Sequence, residues 1–243
     1  MKEVDLVVKD KVKWGSDLAK KGFLFESKLV DLINDFENNE DGKNILMGMG
    51  YNISEIFSCK AKRKSGLKTD VYLEIINKYG EIKNEGIQAK KVSNKKGFNQ
   101  IDKRWVDKYV EIIALTEKSR RTLKYFTGEL LPYIKNGKKR MFMYEFSEEE
   151  RNGLLNELNS KKREFLNLIF KGEEEKYAPK WMVISHMNEI KMVKIDDLID
   201  EYVKQNFELT KKGSIKLGSI TIQRKGGDNG RKTAQMLQVK IAL

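Results

Sequence analysis

LKTDVYLEIINKYGEIKNEGIQAKKVSNKKGFNQIDKRW, residues Leu67 to Trp105, carries the reading of this chain. Thr69 to Asn77 reads as one strand and Gly86 to Val92 as the next, with Tyr79-Gly80 and Glu85-Gly86 as punctuation. Alternate residues of a strand share a face, which groups Asp70 with Tyr72 and Glu74, and Gln88 with Lys90. If the two strands are neighbours, Asp70, Gln88 and Lys90 converge. Such a trio suits metal-assisted phosphodiester hydrolysis. Asp70 would bind Mg²⁺ with charge, while the Gln88 side chain and the Ala89 backbone carbonyl add neutral oxygens of the kind this hard cation takes. Lys90 would orient and acidify the attacking water and help neutralise the phosphate. The plain alternative is a solvated strand edge, because acid-or-amide-x-Lys arises by chance in a chain with 48 Lys and Arg.

Outward from that stretch, the charge falls in blocks. Residues 1–59 hold 8 basic and 11 acidic side chains, a net of −3; residues 60–108 hold 14 and 6, a net of +8. Residues 109–144 carry 8 and 3 (+5), residues 145–209 carry 10 and 15 (−5), and residues 210–243 carry 8 and 1 (+7). Basic regions on either side of an acidic one predict a positive groove assembled by folding. Such a groove attracts a polyanion through phosphate contacts and counterion release. A generally lysine-rich surface is the bland explanation of the same numbers.

Several chemistries are excluded. The single histidine, His186, rules out paired-histidine metal sites and histidine acid–base pairs, and its place at the end of the apolar run KWMVISH reads as structural. The one cysteine, Cys59, excludes an internal disulfide framework and cysteine-based zinc. No apolar run approaches the roughly 20 residues of a membrane span. The N-terminal MKEVDLVVKDKVKWGSD lacks the apolar core of a secretory signal, so the expected location is the cytoplasm.

The chain has no internal repeats and only two prolines, Pro132 and Pro179. Asp17 to Glu37 reads as an amphipathic helix with Leu18, Phe25, Leu29, Leu32, Ile33 and Phe36 on one face, ended by the turn residues 38–42. Ile53 to Ala61 is a further strand. From Ile101 to about Phe126 the period turns helical, and Ser147 opens another helix with a capping box, running to Phe170. Trp181–His186 and Ile190–Ile195 pair as a hairpin, Asp196–Gln205 is helical, and Ser214–Gln223 and Ala234–Ile241 are strands. This order predicts an α/β (α+β) fold with a mixed central β-sheet flanked by helices. Residues 1–243 are expected to form a single domain, with 205–243 as a β-rich C-terminal part that reads DNA.

Asp70…Gln88-Ala89-Lys90 resembles a variant of the PD-(D/E)xK nuclease signature, with Thr69 in place of proline and Gln88 in place of the acid. More closely, the chain resembles a small family of type II restriction endonucleases that cut the palindrome GCGC. The likeness rests on SGLKTD (65–70), IQAKKVSNKKGFNQIDKRW (87–105), FTGELLPY (126–133), RMFMYEFSEEE (140–150) and TIQRKGGDNGRKTAQMLQ (221–238). The first 60 residues match more loosely, chiefly in the helix containing Gly22 and Glu26. The resemblance implies Asp70, Gln88 and Lys90 as the catalytic residues, with Mg²⁺ on Asp70, Gln88 and the Ala89 carbonyl. Gln88 leaves such a site one negative charge short of the usual pattern. Glu26 or Glu74 could restore it, and the helical Gly-x-x-x-Glu approach makes Glu26 the better candidate.

Two loops are candidates for DNA contact. The resemblance implies that Ser93, Lys95 and Lys96 hold phosphates near the scissile bond, and Lys103 is a further DNA-binding candidate. Phe98 would wedge into a base step with Asn99 and Gln100 meeting the opened edges, helped by the low cost of unstacking a CG step. The alternative is a Phe anchoring its loop in the core. In the second loop, Gln223, Arg224, Lys225, Asn229 and Arg231 surround Asp228: the Arg and Lys give donors for guanine O6/N7 and Asp228 an acceptor for cytosine N4. An ordinary Gly-rich hairpin turn is the alternative there. The expectation is a Mg²⁺-dependent endonuclease that cuts both strands of GCGC, leaving 5′-phosphate ends. Its partners would be double-stranded DNA and, as biological counterpart, a cognate cytosine methyltransferase. Monomer and homodimer stay equally open. The rivals are a structure-specific or repair nuclease of the same fold and a non-catalytic DNA-binding protein.

Overall fold

The computed structural model describes residues 20–92, 98–134, 137–186, 189–227 and 231–242, with the Phe98 side chain left out. The chain divides into two compact units: residues 1–95 with 171–197, and residues 96–170 with 198–243. Among the described residues no helix is long and apolar enough to cross a membrane.

The first unit is a five-stranded mixed sheet in the order β1-β2-β3-β5-β6, where β1 is Ile56–Arg63, β2 Val71–Asn77, β3 Ile82–Val92, β5 Trp181–His186 and β6 Glu189–Lys194. Every neighbour is antiparallel except β3 and β5, which run parallel with Gln88 opposite Met182. A parallel pair needs a long crossover, and here that connection includes residues 96–170. Val71, Leu73 and Ile75 are buried while Glu74 between them is exposed, the alternation of a strand with one face on a core. That core is capped by α1 (20–34) and α2 (Glu40–Gly48): Phe25, Leu29, Ile33 and Leu46 pack with Cys59, Leu73, Ile87 and Val183. The residues read as turn punctuation after the first helix open α2 instead. Asn39 is its N-cap, accepting from the Gly42 amide, and Gly42 lies so close to α1 that a Cβ there would stand 2.1 Å from the Leu32 carbonyl oxygen.

The second unit holds an antiparallel sheet, β4-β10-β9-β8-β7, with β4 Phe98–Arg104, β7 Phe207–Leu209, β8 Ile215–Leu217, β9 Ile220–Arg224 and β10 Leu237–Ala242. Helices α3 (Val106–Ile113), α4 (Glu117–Thr127), α5 (Glu148–Ser160) and most of α6 (Lys162–Lys171) belong to it, and α7 (Ile195–Val203) begins in the first unit and ends here. The capping box expected at Ser147 is formed: the Glu150 amide donates to Ser147 Oγ at 3.2 Å and the Ser147 amide to Glu150 Oε2 at 2.9 Å. Two expected helices are corrected. Residues 101–104 are strand rather than helix; a bulge opposite Val239 and Lys240 buries both Ile101 and Asp102, which breaks the two-residue alternation. The helix expected from Ser147 to Phe170 is two, α5 and α6, separated at Lys161. The strand expected over Ser214–Gln223 is likewise two, turning at Gly218 in left-handed backbone.

Candidate active site

The site grows from a mismatch in strand length. β3 runs on to Val92, but β2 begins at Val71, opposite Ile87, so beyond Ile87 the β2 side of β3 has lost its strand partner. Asp70 occupies the gap. Its amide donates to the Ile87 carbonyl at 2.9 Å, and its carboxylate Oδ2 accepts the Ala89 amide at 2.8 Å. N–H and C=O of one residue in an antiparallel ladder point the same way, so the Ala89 carbonyl is directed to the side from which β2 is missing.

Thr69 fixes this corner. It is buried, and its hydroxyl donates to the Tyr177 carbonyl at 2.6 Å. Gly86 makes room, since a Cβ on it would meet Thr69 Oγ1 at 2.7 Å and the Ala178 carbonyl oxygen at 3.1 Å.

Gln88 and Lys90 lie on the other face of β3 from Ile87 and Ala89, as strand alternation requires. Gln88 is 2% exposed, and its Oε1 is the single buried side-chain oxygen or nitrogen among the described residues with no hydrogen-bond partner. Such an orphan costs about 1–3 kcal/mol unless something fills the position. Burial raises the Asp70 pKa, opposed by Lys90 first, then by the Ala89 amide, Lys68 and Arg63. Glu26 on α1 is raised as well, by burial and then by the Asp70 charge, with Arg63 and Lys90 opposing.

Two carboxylates raised by burial, Glu26 also by the Asp70 charge, together with an unpartnered amide oxygen and an open carbonyl, form an all-oxygen donor set that fits a hard divalent cation. Among the described residues no three His, Cys, Asp or Glu cluster as a metal site. Glu74 does not join this group: it is exposed at mid-strand, opposite Lys60 and Asn84.

Arg63, at the end of β1, was not singled out by the sequence. Its Nε and Nη2 lie 3.2 and 3.1 Å from Glu26 Oε2, and its Cζ sits 5.3 Å from the centre of the Phe23 ring. No local pattern separates this arginine from the many cations around it; only the approach of β1 to α1 does.

The candidate DNA contacts divide among the described and the undescribed. Ser93, Lys95, Lys96, Asp228 and Asn229, and the side chain of Phe98, lie outside the described residues. Phe98 pairs by its backbone with Ala242, and Asn99 is half-buried opposite Ile241. Gln100 and Lys103 are exposed on β4, and Gln223 and Arg224 close β9. Arg224 Nε donates to the Ala234 carbonyl at 3.0 Å, and Lys225 and Gly226 are tied by their amides to Met236 and Ala234. Gly226 and Gly227 both have left-handed backbone, with φ of 65° and 63°. Arg231 is exposed.

A mixed sheet whose paired strands bring Asp70 to Ala89, beside a buried amide and a lysine, has the build of a restriction-endonuclease nuclease core. The chain's membership is explicit: it belongs to the R.HinP1I restriction endonuclease family, whose model matches residues 49–243. Among solved structures it is similar to the crystal structure of the restriction endonuclease MspI in complex with its cognate DNA, with a TM-score of 0.65 at 13% identity over 97% of this chain and 95% of that one. At that identity the likeness concerns the fold. No curated protein matches the sequence.

Proposed function

We propose that this type II restriction endonuclease is Mg²⁺-dependent and cuts both strands of DNA at the palindrome GCGC, leaving 5′-phosphate and 3′-hydroxyl ends. The observation that carries the catalytic part is the buried, unpartnered Gln88 Oε1 on the strand to which the Asp70 carboxylate is pinned. Asp70, Gln88 Oε1, the Ala89 carbonyl and Glu26 would hold the Mg²⁺, which when bound neutralises charge on the scissile phosphate and lowers the pKa of water. Lys90, next along the Gln88 face, orients that water for in-line attack on phosphorus. The new P–O bond forms as the water gives up a proton to solvent and the bond to the 3′-oxygen breaks, that oxygen taking up a proton from solvent.

The base-reading part rests on the second unit. Lys103, Gln100 and Gln223 lie toward its polar sheet face, and the 223–231 loop supplies guanidinium and ammonium donors for guanine. The expected host counterpart is a cytosine methyltransferase of the same specificity.

The test is digestion of unmethylated phage DNA with Mg²⁺ beside the same DNA methylated at GCGC cytosines. Discrete fragments ending in GCGC, absent after methylation, are expected. A smear, or metal-independent binding without cleavage, overturns the reading.

A further inference from the structure

The second unit's sheet has one largely apolar face, which Asn99, Asp102, Arg104 and Arg224 also share, and one polar face. Val239, Ile241, Ile220, Ile222, Ile215 and Leu217 are buried on the first. On the other, strand pairing forms two cross-strand rows: Lys103, Gln238 and Gln223; then Gln100, Lys240, Thr221 and Lys216. Neither row contains an apolar residue. Lys103 and Gln100 are exposed and the other row members half-buried, with one exception: Gln238, on the central strand of the three that carry the amides, is 7% exposed. Its Nε2 donates to Gln100 Oε1, and its Oε1 accepts from Gln223 Nε2 at 3.5 Å. Three amides from three strands thus form a head-to-tail ladder.

We propose that Gln238 is a positioning residue for base recognition, coupling the amides of Gln100 and Gln223 so that one shows a donor while the other shows an acceptor to the edges of a G·C pair. This rests on the reading of the chain as a GCGC endonuclease and adds a residue to it. An isolated surface glutamine can rotate its amide and offer a donor or an acceptor with equal ease. A linked run of three turns only as a unit, because reversing one amide alone breaks its bonds. Its internal bonds leave an amino group outside the ladder at one end and a carbonyl at the other, here Gln100 Nε2 and Gln223 Oε1. A G·C pair presents acceptors and a donor side by side, so a run that always ends in a donor on one side and an acceptor on the other matches it where independently turning amides match any pair. Burial of the middle amide enforces that coupling, because a buried polar group that gives up one bond must replace it. Gln238 itself touches no base in this scheme.

The experiment compares wild type with Gln238→Met, which keeps length but loses both hydrogen bonds, and Gln238→Glu, which keeps the acceptor and loses the donor. For each, kcat/KM is measured on duplexes carrying GCGC and on duplexes with one base pair changed, with affinity for unrelated duplex and thermal melting as controls. The expected result is a fall of about 10- to 100-fold in the ratio of cognate to altered cleavage, with affinity for unrelated duplex retained.

An equal loss on every duplex, or an unchanged ratio in a folded variant, overturns the proposal. Should neither variant fold, a double-mutant cycle on Gln100→Met and Gln223→Met decides. The ladder requires their effects on the ratio to be non-additive, and additive effects overturn it. Absence of GCGC cleavage by the wild-type chain would instead remove the nuclease reading on which the ladder rests.

Discussion

Arg63 holds Glu26 through two nitrogens on a single carboxylate oxygen, at 3.1 and 3.2 Å. Burial and the Asp70 charge both push the Glu26 pKa up, and Arg63 is the strongest opposing influence. A cation bound between Asp70 and Glu26 would take over that task and release Arg63. Glu26→Gln is therefore expected to raise the Mg²⁺ concentration for half-maximal cleavage by about 10-fold or more, while Arg63→Met, which removes a competing cation, does not raise it. Mg²⁺ titrations of cleavage on one short duplex check this. Superimposable curves for wild type and Glu26→Gln would remove Glu26 from the metal site.

Lys90→Ala is expected to lower the single-turnover cleavage rate by about 10²- to 10⁴-fold, the range for losing a group that positions or polarises the attacking water. Affinity for cognate duplex, measured in Ca²⁺ to prevent turnover, should change only a few-fold, since one cation among many contributes little to phosphate binding. Wild-type cleavage by Lys90→Ala would overturn the catalytic assignment.

Much of the first unit was legible in the sequence because its strands keep strict periods. Val71, Leu73 and Ile75 alternate cleanly, and Asp70 and Gln88 sit where two such strands meet. What escaped has physical causes. The Ile101–Asp102 bulge buries two consecutive residues, and Asp102 is a polar one, held by the Tyr109 hydroxyl at 2.5 Å and Arg104 Nε at 2.8 Å. A four-residue spacing from Ile101 to Trp105 to Tyr109 then imitates a helix. At Lys161 neither glycine nor proline announces the break between α5 and α6, which lies between Ser160 and Lys162. Arg63 and Gln238 become distinctive only through partners 37 and 138 positions away, Glu26 and Gln100, which no local pattern reports.

Two glycines predict opposite outcomes on replacement by alanine. Gly86→Ala would drive a methyl to 2.7 Å from Thr69 Oγ1 and 3.1 Å from the Ala178 carbonyl oxygen. Overpacking of this kind costs about 1–3 kcal/mol, and because Thr69 precedes Asp70 the cleavage rate should fall along with the melting temperature. Gly153 lies exposed within α5 with no heavy atom within 4 Å of the added methyl. Gly153→Ala is expected to stabilise by about 0.5–1 kcal/mol through helix propensity, leaving cleavage unchanged. Paired denaturation and cleavage measurements would refute the close-packing account if the two variants behaved alike.

Cys59 sits on β1 beneath α1 and α2, 8% exposed in the core of the first unit. Burial pushes its thiol up to about 12, so the folded chain holds it protonated across the whole neutral range. The unfolded chain ionises this thiol near the ordinary cysteine value, which fixes the sign. Below that value the thiol makes no pH-dependent demand on stability, and as pH rises above it toward the folded value the unfolded state gains at the native state's expense. At pH 8 a thiol reagent such as dithionitrobenzoate should label Cys59 at the rate of unfolding, in step with added denaturant. Cys59→Ser, which leaves an unpaired hydroxyl at the same buried position, should destabilise at neutral pH yet flatten the alkaline loss of stability. Rapid labelling of the native protein would mean that the helices over β1 open far more readily than their packing implies.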